Sequence, residues 1–556
     1  MRSTFMGLET AKRGMSTQQN ALYVTGHNIS NANTPGYSRQ RVNFETTTPY
    51  PAIGLNRPNI PGQLGTGVEA GAIQRMRESF LDVQYRNENN KLGYWNARAD
   101  ALVKVEDIIN EPTEEGLAAT ISEMWKSLQV LAGSPENEGA RGVVLERIQS
   151  MTDTFNYMSD SLNTIKTDFG SQVGITVDAL NSTIRQLFDV NQQIAEIEPN
   201  GYLPNDLYDK RDLLVDELSQ YVNVEVSTSK SGGNAPAVAE GIYSIKLLNA
   251  DGTPGQELLN KDHYFQLGFE NSAGTIGTDV QGDHVDAIEF VQYDRSNEAG
   301  ASTTVHVSEN GSMTFSQGSL RGLIEAFGYI GTKDTNGDGT AEAGVVTGIY
   351  QDMLDNLDRL AFSMAELFNT VHEKGMDYNG SAPTKDVIEY EVENPLPTGK
   401  PYAGAAGSIG LNVNLTSNEL AASLTGFVGD GKNALNLSNV GAMLLNNNSV
   451  ELLGGGTLDI SNLDLPIKSG SLNSFYESVI GRLGVDSQQA QRMEQNVEVL
   501  RSTVVTNRES VSSVSLDEEM TNLIKFQHAY NGAARMITIV DEMLDKIING
   551  MGVAGR

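Results

Sequence analysis

The stretch with the most chemistry in it is Asp334-Thr335-Asn336-Gly337-Asp338-Gly339-Thr340-Ala341-Glu342. Asp334, Asn336 and Asp338 put oxygen at the first, third and fifth places of a calcium loop. Gly339 stands at the sixth, where such a loop turns sharply, and Glu342 at the ninth. The twelfth place needs a bidentate Glu and holds Val345. Without that ligand, a solvated turn joining two helices outweighs an occupied metal site. Other sets are poorer. His27, His263, His284, His306, His372 and His528 are scattered with no pair at i and i+4, and His372-Glu373 lacks the second His of a zinc-protease helix. Gly65-Thr66-Gly67 is followed by Ala70 where a dinucleotide fingerprint needs its third Gly. No nucleophile elbow and no phosphate loop occur. With 71 Asp and Glu residues, acidic pairs arise by chance, and solvated faces account for them. No catalytic residue and no cofactor is expected.

The bulk properties narrow the class. A chain of 556 residues is long for one domain, and about three or four is the fair expectation. With 39% hydrophobic residues it can bury real cores. A net charge of -32 argues against nucleic acid and against an anionic membrane surface as partners, since phosphates reward Lys and Arg. Cysteine is absent, which removes disulfides, thiolate zinc sites and thiol nucleophiles together. Lys12, Arg13 and the polar run Ser16-Thr17-Gln18-Gln19-Asn20 stand where a signal peptide needs its apolar core. No stretch is long and apolar enough for membrane insertion.

What must position any function is the pair of ends. Leu523, Phe526, Tyr530, Ala533, Ile537, Val540, Leu544 and Ile547 follow one another at alternating steps of three and four. That is a coiled-coil seam, which has to bury itself against another helix. Ser515-Leu516-Asp517-Glu518 fits a capping box and Asn549-Gly550 a stop. The partner expected is the other terminus, where Leu8, Met15, Leu22 and Ile29 recur every seventh residue. Its second seam position holds Lys12, Gln19 and Gly26, so the pair is marginal alone and gains from neighbouring subunits.

Between the ends the pattern predicts a multidomain α+β protein: a terminal α-helical coiled-coil pair, a long-helix body, and two β-rich inserted outer domains. The terminal domain takes 1–40 plus 513–556, and the body 41–222 plus 317–379 plus 431–512. The β-rich insertions take 223–316 and, smaller, 380–430. Body helices are expected near 76–110, 113–132, 137–198, 206–222, 318–329, 346–375 and 486–511, the last with Leu500 in its apolar stripe. Asn310-Gly311 reads as a hairpin turn.

Asn28-Ile29-Ser30-Asn31-Ala32-Asn33-Thr34-Pro35-Gly36-Tyr37 closes the first helix. With the Ser38-Arg39-Gln40-Arg41-Val42 that follows, it resembles the N-terminal signature of flagellar rod, hook and hook-associated proteins. Gly62–Glu69 and Arg75–Leu81 resemble the segment that links end and body in that family. Asn205–Leu218 and the terminal helix are similar to the member at the hook–filament junction. The resemblance implies a structural adaptor, not an enzyme, located outside the cell in the flagellum and exported through the flagellar type III channel. It implies as partners other copies of itself in a ring, the hook protein, the second junction protein and a cytoplasmic export chaperone. Another axial subunit, or an exported adhesin or hydrolase carried on flagellar ends, stands as the alternative. If the turn reading of residues 334–345 is right, calorimetric titration with calcium gives no heat at millimolar concentration; measurable heat restores the metal site.

Overall fold

The computed structural model describes residues 5–51, 61–109, 111, 113, 116–270, 276–280, 282–309, 312–333, 342–393, 400–446, 449–461 and 463–550. Helix α1 (Phe5–Ser30) leads into an antiparallel hairpin of β1 (Gln40–Thr46) and β2 (Val68–Arg75). Helices α2 (Ser79–Ile109), α3 (Leu117–Gly133), α4 (Glu138–Ile197) and α5 (Asn205–Tyr221) follow. Next come β3 (Val224–Ser229), β4 (Ile242–Leu248), β5 (Pro254–Leu259), β6 (His263–Glu270), β7 (Ile276–Gly277), β8 (Ala287–Asp294) and β9 (Ala299–His306). They form one antiparallel sheet in the order β3-β4-β5-β6-β8-β9, with β7 on β6.

The chain then re-enters the body. A short hairpin, β10 (Ser308–Glu309) with β11 (Ser312–Met313), precedes α6 (Ser319–Phe327). A second hairpin, β12 (Tyr329–Lys333) with β13 (Glu342–Thr347), precedes α7 (Ile349–Glu373). After β14 (Ile388–Glu389), α8 (Ala405–Ser408), β15 (Gly410–Leu411), α9 (Lys432–Ser438) and the pair β16 (Ser449–Glu451) and β17 (Thr457–Asp459), two long helices finish the chain. They are α10 (Leu472–Ser512) and α11 (Leu516–Gly550).

Helix α4 is the spine. Its 60 residues span about 90 Å at ~1.5 Å per residue. The Asn137 side chain caps its start by accepting from the Ala140 amide at 3.2 Å. From Val144 through Met151, Phe155, Leu162, Phe169, Val177 and Leu180 to Ile194, an apolar stripe recurs at steps of three and four, every one of these residues at 0% exposure. A stripe of that length must be covered throughout. Helices α3, α5, α6 and α7 and strand β6 cover it in turn. Helix α10 lies antiparallel along α2, with Ser487 donating to Glu106 at one end and Arg508 paired to Asp82 at the other.

Asparagines on the helices clip the sheet and loops in place. Asn181 donates to the Leu267 carbonyl at 2.8 Å and accepts from its amide at 2.7 Å. Asn191 does the same for Tyr243, at 2.8 and 3.0 Å. Asn369 holds Ile388 by both backbone groups, at 2.7 and 3.1 Å. A side-chain amide carries the same donor and acceptor as a neighbouring strand, so each one satisfies a backbone pair that the helix surface would otherwise orphan.

Several elements differ from expectation. Residues 334–341, with Asp334, Asn336 and Asp338, lie outside the described residues. Their flanks are the antiparallel strands β12 and β13, with Glu342 opposite Lys333, so the segment joins two strands and not two helices. The Asn310-Gly311 turn also lies outside. Helix α10 begins at Leu472, well before 486, because Ser471 caps it and packing on α2 outweighs the weak propensity of Gly481 and Gly484. Its buried line runs through Tyr476, Val479, Leu483, Ala490 and Val497, leaving Leu500 53% exposed. Within 380–430, strand pairing among the described residues is the β14–β15 contact, and side-chain hydrogen bonds hold much of the rest. Helix α7 buries the face read for it, Tyr350, Met353, Leu357, Leu360, Met364 and Leu367.

His372, at 0% exposure, accepts from the Ala421 amide through Nε2 at 2.9 Å. Burial holds its pKa down at about 4, against an ordinary 6.5. The neutral ring therefore contributes stability in full above pH 6.5, and that contribution is lost as pH falls through about 4, on the order of 3 kcal/mol. Asp358, pushed up to about 7 by burial and by Asp355 and Glu393, works in the opposite sense. Comparing wild type with His372→Gln isolates the histidine: urea unfolding at stepped pH should show a shallower acid loss in the variant.

Candidate functional site

Helices α1 and α11 lie antiparallel in a constant register. Gly7 faces Val540 and Gly14 faces Ala533, close enough that a methyl group on either glycine would meet the opposite side chain at 3.8 and 4.0 Å. One heptad further on, Ala21 sits in a small buried cluster with Val24 and Val42, against Phe526. One more heptad brings Asn28 to Glu519, its amide donating at 3.1 Å. Small residues let the helices approach, and the hairpin closes the third side. Thr17 donates to the Val68 carbonyl at 3.2 Å, and Phe44 meets Phe526 edge-on at 5.9 Å between centroids.

Leu8, Met15, Leu22 and Ile29 stand one place beyond this line and are partly buried. On α11, Leu523, Phe526, Tyr530, Ile537 and Leu544 are partly buried, Val540 is buried and Ile547 is exposed. Only the first half of the expected capping box forms, with the Glu518 amide donating to Ser515 at 3.5 Å. Other apolar side chains of α11 are exposed: Met536 and Met543 next to the line that packs on α1, and Met520, Ile524 and Ile539 further round the helix.

The signature after α1 is a polar knot. The buried Asn28 donates to the Gln40 carbonyl at 2.8 Å and accepts from its amide at 3.0 Å and from the Tyr37 hydroxyl at 2.8 Å. Asn31 donates to the His27 carbonyl at 3.0 Å and accepts from Thr34 at 3.2 Å, while Asn33 and Pro35 are exposed. Gly36 adopts φ 77°, and a methyl group there would lie 3.3 Å from Leu213. Glycine is what lets the turn press on α5.

Helix α5 carries Asp206, Asp209, Asp212 and Asp216, spaced as one helical face, and presents the last three to arginines from three other segments. Arg75, at the end of β2, donates to Asp209 at 2.7 Å and Asp212 at 2.9 Å and reaches Glu240. Arg77 pairs with Asp82 at 2.7 Å and Asp212 at 3.2 Å. Arg86 on α2 pairs with Asp216 at 2.9 Å, and Arg508 on α10 with the same residue at 2.6 Å. The hairpin adds Ser38, whose amide donates to Asp209 at 3.1 Å, and Gln40, which donates to Asp206 at 3.1 Å. Across to α11, Arg39 pairs with Glu518 at 2.6 Å and Glu519 at 2.8 Å. Burial would push the Asp212 carboxyl up; Arg77, Arg75, Arg86 and Arg211 outweigh it and hold that carboxyl well below the usual carboxylate range. Asp209 goes the other way, raised by burial against the pull of Arg75. Nothing in this arrangement is a nucleophile beside a base. It is a network of ion pairs and hydrogen bonds that ties the hairpin to α5 and α2.

Known proteins share this plan. The model of the flagellar hook-associated protein FlgK helical domain matches residues 102–387. Flagellar hook-associated protein 1 of Bacillus subtilis is 40% identical over 100% of both chains. This chain belongs to the flagellar hook-associated protein 1 family. The Escherichia coli protein of that name is 24% identical over 98% of this chain and 99% of its own. The flagellar hook junction protein FlgK of Burkholderia pseudomallei shares the fold, with a TM-score of 0.54 and 15% identity, covering 78% of this chain and 100% of its own. Two further family models fall on the ends. That of the flagella basal body rod protein matches residues 8–37, and that of the flagellar basal body rod FlgEFG protein C-terminal matches 507–550. Those spans hold α1 with its knot, and α11. No helix of the described residues is long and apolar enough to cross a membrane.

Sequence reasoning missed the arginine partners of α5, taking carboxylates at such spacing for solvated faces. Asp209, Asp212 and Asp216 are in fact buried. The signal available was an acidic ladder at steps of three and four beside the pair Arg75 and Arg77. Ala21→Asp would bury a carboxylate against Phe526 and should destabilise the terminal pair by roughly 3 kcal/mol or more. Brief proteolysis should then trim both ends while α2 to α10 resist; resistant ends would contradict the packing described.

Proposed function

We propose that the chain is a structural adaptor joining hook to filament, and that it works by self-association of its terminal helices and not by turnover. The observation that carries this reading is the set of apolar side chains on α11 that α1 leaves uncovered. One line packs on α1, while Met536 and Met543 beside it, and Met520, Ile524 and Ile539 further round the helix, are left exposed among the described residues. Exposed apolar surface of that extent on one helix calls for a further helix to cover it. Neighbouring copies supply that cover in a ring, with Leu523, Tyr530, Ile537 and Leu544 facing Leu8, Met15 and Leu22 and adjacent chains. The chain is a component of the flagellum and assembles with its axial proteins. More finely, the hook protein lies on one side and the second junction protein on the other. Export runs through the flagellar type III channel, with a cytoplasmic chaperone shielding α11 beforehand.

Immunogold microscopy of isolated flagella, with antibody against residues 223–316, should label a narrow band between hook and filament. Label along the whole hook, or none on flagella, would overturn the junction role. Ile539→Asp, at an exposed position, should leave monomer helicity unchanged and abolish motility. Normal swimming would remove the uncovered apolar side chains of α11 from assembly.

A further inference from the structure

The ionised groups on α5 lie between two apolar clusters that do not merge. One is the large core around α4; the other is the small cluster of Ala21, Val24 and Val42 with Ala70, Ile73 and Phe526. The joint between them is made of charge and hydrogen bonds: Arg75 on Asp209, Asp212 and Glu240, Arg77 on Asp212, Ser38 on Asp209, and Gln40 on Asp206. Asn205 adds a further tie, donating to the Ile73 carbonyl at 3.0 Å. We propose that Arg75, Arg77, Asp209 and Asp212 are positioning residues that set the angle at which the terminal helix pair leaves the body.

Geometry makes the joint directional. Arg75 spreads its two terminal nitrogens over carboxylates on successive turns of α5, and a planar guanidinium held at both ends resists rotation in a way one ammonium cannot. Its side chain is 4% exposed and that of Asp212 also 4%, so dissolved salt screens the contact little. Apolar surfaces slide past one another with small loss. A fork-to-carboxylate contact breaks when the angle changes. Arg86 shares Asp212 but, through it and Asp216, joins α2 to α5 within the body, so it serves as an internal control.

The chain has no cysteine, so two can be introduced for spin labels without background. Tyr23→Cys on α1 and Val499→Cys on α10 are exposed sites on either side of the joint. Pulsed dipolar spectroscopy on the full-length monomer should give a single narrow distance distribution, unchanged in high salt. In Arg75→Gln/Arg77→Gln it should broaden and shift, while Arg86→Gln should keep the narrow peak even where its melting temperature falls. A broad wild-type distribution, a narrow one in the double variant, or equal broadening by Arg86→Gln would each overturn the proposal. Near-UV circular dichroism reports whether the body stays packed. If the double variant loses that signal, Gln40→Ala, which removes a hairpin tie to α5, carries the same expectation. The measurement is made on the monomer, so it stands or falls independently of the junction role.

Discussion

Everything in the body follows from the need to cover one stripe. A helix of 60 residues with an apolar stripe along its length has to be covered, and among the described residues no single helix matches its length. The coverage is therefore assembled from pieces: α3, α5, α6, α7 and a strand of the sheet each take a portion. This explains why the chain leaves the helical body for a β domain and returns. The sheet lies on the part of α4 around Asn181 and Asn191, whose amides meet β6 and β4 as strand edges would. Close crossings depend on the same economy of space. A methyl group on Gly93 would sit 2.3 Å from the Gln220 carbonyl, so α2 passes α5 only because that position is glycine.

The joint beside α5 obeys different physics. Burying Asp212 among arginines is expensive in desolvation, and an apolar contact of equal volume would often hold as well. What ionic contacts add is a defined geometry, since their strength depends on orientation as well as distance. Removing one partner of such a buried pair leaves the other uncompensated and costs about 3–5 kcal/mol. The two apolar clusters give cohesion to their own units. The charged groups between them relate one unit to the other.

Much of this was legible from residue order where one physical signal dominated. The α11 seam and the α7 face announce themselves because apolar spacing is the strongest local signal a sequence carries. The α1 partner was read at Leu8, Met15, Leu22 and Ile29, whereas the closest line is Gly7, Gly14, Ala21 and Asn28. Hydrophobicity alone marks large side chains, while close approach of two helices selects small ones, and the two criteria differ here by one residue. The asparagine clips read as interruptions in a stripe, because their partners are backbone groups far away in the chain. The acidic ladder of α5 was indistinguishable from a solvated face until Arg75, Arg77, Arg86 and Arg508 came together on it. Composition hid it further, since carboxylates are common throughout the chain.

The three kinds of contact divide the mechanical work that an adaptor needs. A continuous stripe under several helices gives a stiff body, because bending α4 would open many close-packed contacts at once. The terminal pair is thin by comparison. Apart from Ala21, Val24 and Val540, its apolar side chains are at best partly buried among the described residues, so its stability in the proposed ring comes mainly from other copies. The exposed methionines of α11 suit that role, because an unbranched side chain can fill neighbouring surfaces that do not match perfectly. Between stiff body and adaptable ends, a polar joint with fixed geometry passes orientation from one to the other. An apolar joint would glue the two units together without specifying an angle, and a flexible linker would lose the angle altogether.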